Sequence, residues 1–199
     1  MVLALSVSLS AMAANTGNSV EYYKQIEQKA NSEIKKNAPQ LKKLEDDVAE
    51  KKMAVEKADI AVIDAQVKLK NEGGYANSQA LLAAQRAKQA AELDLAKTQV
   101  QFEEASAETE KAKVAAARAN ALATSKNASK EQIEAAFQQA SDAQKKAKEA
   151  AEKAKQATEN LKKLKKQQKN SGPLHGLSFH QLVDHNYGNY QKMMDDTIK

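Results

Sequence analysis

Between Tyr75 and Ser171 the chain contains neither glycine nor proline. These two residues punctuate secondary structure most strongly, glycine through backbone freedom and proline through its missing N–H. A segment of that length without either is committed to long helices. Its apolar residues recur at alternating three- and four-residue steps, the spacing that keeps one side of a helix against a partner. Aromatic residues make up 4% of the 199, Trp and Cys are absent, and 38 residues are Ala. Alanine removes too little area from water to build a thick core at about 25 cal/mol per Å², but it lets helices approach closely. The expected fold is therefore all-α: an elongated antiparallel three-helix coiled coil with a short helical C-terminal segment.

The seam positions define the helices. The first, over about 40–72, carries Leu41, Leu44, Val48, Lys51, Val55, Ala58, Val62, Ala65 and Leu69. It should stop at Asn71-Glu72-Gly73-Gly74, where glycine accepts positive φ. The second, over about 78–124, would be capped by Asn77 or Ser78 and runs from Leu81 through Leu95, Phe102 and Thr109 to Ala123. The third, over about 129–169, opens with Ser129 and Gln132 in a capping-box pattern. Its seam is Ile133, Ala136, Ala140, Ala143, Ala147, Ala150, Ala154, Ala157, Leu161 and Leu164. Short connections favour antiparallel neighbours. Folding at Gly74 brings Val48 towards Phe102, and folding at Lys126 brings Phe137 towards Ala116. Upstream, residues 14–39 read as a separate helix holding Tyr22, Tyr23, Ile26 and Ile34, which Pro39 should kink or interrupt.

The two ends differ in character from the helices. Residues 1–13, MVLALSVSLSAMA, are uncharged and finish in an A-x-A pattern, which reads as a truncated secretory signal. They are too short to span a bilayer, which takes about 20 residues, and no other run approaches that length. Residues 171–199 open with the linker-like Ser-Gly-Pro-Leu-His-Gly and then concentrate bulky residues such as Phe179, Leu182, Tyr187 and Met193. They read as the start of a second domain or as a helical cap.

A second apolar stripe lies away from the seams. Met53, Ile60, Ile63 and Val67 form it on the first helix, and Leu93, Val100, Ala107 and Val114 on the second. Two arrangements account for it. Either the stripes close a three-helix bundle against each other or the third helix, or they form a partner-binding or self-association face.

Candidate chemistry is sparse. The formal net charge is +5, but only Arg86 and Arg118 among the basic residues are arginine. Recognition of phosphates and base edges favours the arginine fork, so no specific nucleic acid is expected. The dense cluster Lys162, Lys163, Lys165, Lys166 and Lys169 sits where cations complement a helix C-terminus. It would also suit an anionic polymer, such as teichoic acid, lipid headgroups or, without sequence specificity, nucleic acid. His175, His180 and His185 are five residues apart, whereas two metal ligands on one helix face need a spacing of three or four. Without cysteine there is no thiolate ligand or nucleophile, and no P-loop, dinucleotide fingerprint or HExxH occurs. No cofactor, metal or catalytic residue is expected, and the chain reads as a non-enzyme.

The signal-like start, the long Ala/Lys/Glu/Gln helices over about residues 18–170 and the distinct following segment resemble bacterial coiled-coil cell-surface stalk proteins of the Gram-positive surface-exclusion and adhesin type. The run from Lys145 to Lys155, KKAKEAAEKAK, is also similar to the helical spacer of the periplasmic TolA protein. The resemblance implies an exported, secreted or surface-attached structural stalk that presents another domain or mediates cell–cell or host contact. A polyanion-binding module using Lys162–Lys169, and a stalk leading into an enzyme domain near Leu174, are the alternatives.

Overall fold

The computed structural model describes residues 19–126 and 128–170. They form three α-helices and no strand: α1 (Ser19–Glu72), α2 (Tyr75–Thr124) and α3 (Lys130–Asn170). At 1.5 Å per residue these are about 80, 75 and 60 Å long. Helix α2 packs against both of the others, and α1 and α3 make no contact with each other. A closed three-helix bundle is therefore not formed. The expected signal over 1–13 and the segment over 171–199, with its three histidines, lie outside the described residues.

Helix α1 carries Pro39 in its interior, so the helix expected over 14–39 is neither separate nor interrupted there. A mid-helix proline loses one backbone hydrogen bond and costs about 3 kcal/mol. Shielded positions continue across it at helical spacing: Ala30, Ile34, Asn37, Leu41, Leu44 and Val48 are all buried or half-buried, while Pro39 is exposed. The proline thus sits on the solvent side of a helix held by contacts before and after it. The four-three alternation through Ile34 and Asn37 is visible in the sequence and outweighs the local signal of one proline.

The connection between α1 and α2 is two glycines. Gly73 has φ +59° and Gly74 φ +86°, and the Gly73 amide donates to the Leu69 carbonyl at 2.9 Å, closing the last turn of α1 in left-handed geometry. Helix α2 then starts at once, at Tyr75, three residues before the expected start at 78. Gly74 occupies the N-cap position without a side-chain bond. Asn77 points back instead: its Nδ2 donates to the Gly73 carbonyl at 2.7 Å and to Glu72 Oε2 at 3.4 Å. It satisfies the end of α1 rather than the start of α2.

The second connection follows its sequence pattern. At the end of α2 the Ser125 hydroxyl donates to the Leu122 carbonyl at 2.8 Å. Helix α3 opens in a reciprocal capping box: Ser129 N–H donates to Gln132 Oε1 at 3.1 Å and Gln132 N–H to Ser129 Oγ at 3.4 Å. Two amides left without partners by the helix start are satisfied together.

The core is thin and made almost wholly of small residues. Ala30, Val48, Ala96, Ala107, Ala112, Ala119, Ala121, Ala136, Ala140 and Ala150 are its buried apolar members, and Thr109 is buried with them. The Thr109 hydroxyl bonds back to the Ala105 carbonyl at 2.9 Å, so its burial leaves no donor unsatisfied. Ala121 is fully buried and meets Ala136 and Ala140, with Ala117 alongside. Phe137, expected to turn towards Ala116, is instead one of the exposed large apolar residues. Its ring is 48% exposed, because it lies one position, about 100° of helix rotation, beyond Ala136.

Candidate functional site

The structure divides the second apolar stripe into two halves. On α2, Ala107 is buried and Leu93, Val100 and Val114 are half-buried. The series continues seven residues on to Ala121, which packs on α3. This half is shielded along its length and is not an open face. On α1, Met53 is 54% exposed, Ile60 58%, Ile63 57% and Val67 51%. These four lie on the side of α1 opposite its seam, and no described element covers them.

The five clustered lysines are all exposed, and none forms an ion pair among the described residues. Leu161 and Leu164 between them are half-buried on the seam. Helical geometry sets Lys162, Lys165, Lys166 and Lys169 on one arc of about 100°, which makes a basic strip along the outer side of α3 near its C-terminal end.

Two charged residues occupy the seam itself and are paired across helices. Lys51 Nζ lies 2.9 Å from Asp94 Oδ2, and Lys88 Nζ lies 2.6 Å from Asp59 Oδ1 and 3.7 Å from Glu92 Oε1. Each lysine is half-buried at its seam position with its ammonium against an acid of the other helix, as suits a side chain with an apolar stem and a charged tip. Sliding α2 past α1 by one heptad would separate both pairs, so they pin the register. The signal for this was the lysine at a seam position; the matching acid was hidden because it lies off the seam of the other helix.

The pairing shifts the titrations. The hydrogen bond from Lys51, then its charge, holds Asp94 below the ordinary carboxylate value. Hydrogen bonds to Asp94 and Asp59, again with the charges, hold Lys51 and Lys88 above 10.5. A lowered carboxyl stabilises the fold above its unfolded value, and this contribution is lost as pH falls through the lower folded value. A raised ammonium stabilises it below 10.5, and this is lost as pH rises through the higher folded value. Thermal unfolding followed by circular dichroism from pH 7 to 12 should show the midpoint falling more steeply above pH 10.5 in the wild type than in Lys51→Met/Lys88→Met. Parallel curves would remove the pairs from the stability of the fold.

Among the described residues, no group of three or more His, Asp or Glu is placed to hold a metal. A groove of about 210 Å³ opens between α2 and α3, lined by Ala96, Gln99, Glu103, Lys153, Gln156, Ala157 and Asn160. No described helix is long and apolar enough to cross a membrane. No protein-family model, no curated protein and no solved structure matches the chain.

Proposed function

We propose that the chain is an exported structural stalk of a bacterial cell surface, an elongated antiparallel three-helix coiled coil that sets another domain, or an adhesive contact, away from the envelope. The observation that carries this reading is the serial contact of three helices of 54, 50 and 41 residues through seams of small side chains. Helix length then sets reach, and the seams set stiffness. The paired residues support opposite helix directions: Lys51 meets Asp94 and Asp59 meets Lys88, one number rising as the other falls. Arg118 Nη2 donating to Gln144 Oε1 at 2.9 Å and the meeting of Ala121 with Ala136 and Ala140 support the same sense for α2 and α3. The exposed strip Lys162–Lys169 favours a second reading, in which the stalk binds an envelope polyanion directly.

One experiment addresses both. Intact cells that make the full-length protein are labelled with a membrane-impermeant amine reagent and then washed at rising salt. Labelling is expected, because a surface stalk presents its many lysines outside. A protein labelled only after lysis would overturn the surface reading. Release by salt in proportion to the lysines neutralised would mark attachment through the basic strip, and retention at high salt would exclude it.

A further inference from the structure

The uncovered apolar stripe of α1 extends beyond its four large members. Ala49, Met53, Ile60, Ile63 and Val67 follow one another at steps of four, seven, three and four, and all are exposed. This is the heptad spacing of a helix that packs against another helix, repeated on the side of α1 that faces away from α2. The remaining positions of the repeat are Glu56 and Lys70, both exposed and neither in an ion pair among the described residues.

We propose that this stripe docks a second copy of the chain, α1 against α1 in antiparallel register about a two-fold axis near Ile60 and Ile63. Charge decides the occupant and its direction. In a parallel pair Glu56 would face Glu56 and Lys70 would face Lys70 within the seam, while the flanks would set Lys52 beside Lys57 and Asp59 beside Asp64. Like charges in that position oppose pairing. In the antiparallel pair Ile60 layers on Ile63, Glu56 comes within one turn of Lys70, and Lys57 comes beside Asp64, each twice by symmetry. The stripe is therefore complementary to its own inverse, the property required of a two-fold interface. The pairing goes beyond the stalk reading: it would join two rods through their outer helices and leave α3, with its lysine strip, outermost on both sides.

The absence of cysteine from the chain allows a direct test on the full-length protein. Ile60→Cys, Met53→Cys and an equimolar mixture of Met53→Cys with Val67→Cys are treated with a short bismaleimide. Antiparallel pairing separates the two copies of residue 53 by about 25 Å along the axis at 1.5 Å per residue, but those of residue 60 by about 5 Å. Ile60→Cys should give covalent dimers and Met53→Cys should not, while the mixture of Met53→Cys and Val67→Cys should cross-link between unlike chains. Efficient self-linking of Met53→Cys would overturn the antiparallel register. Sedimentation should show a concentration-dependent dimer whose dissociation constant rises about ten-fold in Glu56→Lys and recovers in Glu56→Lys/Lys70→Glu. Ile60→Glu should be monomeric with unchanged helicity, since the site is exposed within each chain. A wild-type protein that stays monomeric at every concentration would overturn the proposal while leaving the stalk reading standing.

Discussion

Replacing Gly74 by alanine is expected to destabilise the protein by about 1–3 kcal/mol, the cost of holding an L-residue in a backbone region reserved for glycine. Gly74 combines φ 86° with ψ 155°, well outside the left-handed helical well that asparagine sometimes enters. A Cβ built there meets nothing within 4 Å, and the same holds at Gly73, so the cost is conformational and owes nothing to a clash. That separates the two positions. Gly73 sits at φ 59°, inside the left-handed well, so Gly73→Asn should be milder than Gly74→Asn, whose backbone demand asparagine does not meet. Valine at 74 should be worse than alanine, because a β-branched residue tolerates positive φ least. Urea unfolding followed at the helical circular dichroism band gives the ranking. Equal stabilities for wild type and Gly74→Ala would show that the turn relaxes to negative φ, and that the α1–α2 connection does not depend on glycine at 74.

The turn also shows what could be read from sequence and what could not. The stop at Gly73-Gly74 was legible, because a double glycine after a periodic run has one common use. The start of α2 was not, because Asn77 resembles an N-cap and spends its amide on the Gly73 carbonyl instead. Which helix an asparagine caps is settled by the path of the chain, not by its neighbours in sequence. The capping box at Ser129 and Gln132 was legible because both of its bonds are local. The all-α class and the seams were equally plain, since period and composition agree along the whole run. The fate of the second stripe was hidden. Leu93, Val100 and Val114 have the same spacing as the residues of α1, and only the placement of α3 on α2, with none on α1, separates a covered half from an exposed one. Pro39 points the opposite way, because its strong local signal for an interruption is outweighed by a seam that passes through it.

Leucine in place of Ala121 should cost about 1–3 kcal/mol through overpacking, with its damage confined to one side of the molecule. Ala121 has no exposed surface, and its neighbours Ala136, Ala140 and Ala117 are themselves alanines. No side chain there has a longer rotamer to give up, so room for three added carbons comes only from moving α3 away from α2. Leucine is nearly as good a helix former as alanine, so the helix itself should not weaken. Ala83→Leu, at an exposed position of α2, is the matched control and should be close to neutral. The sharper expectation is spatial. Because α3 contacts α2 alone, the array behaves as two interfaces in series, as in repeat proteins whose units touch only their neighbours, and its parts can open separately. Hydrogen exchange on Ala121→Leu should show lost protection over α3 while α1 and the half of α2 near Gly74 remain protected. Uniform loss across all three helices would mean that the interfaces unfold as one unit, and that the contact between α2 and α3 also sustains α1, which it does not touch.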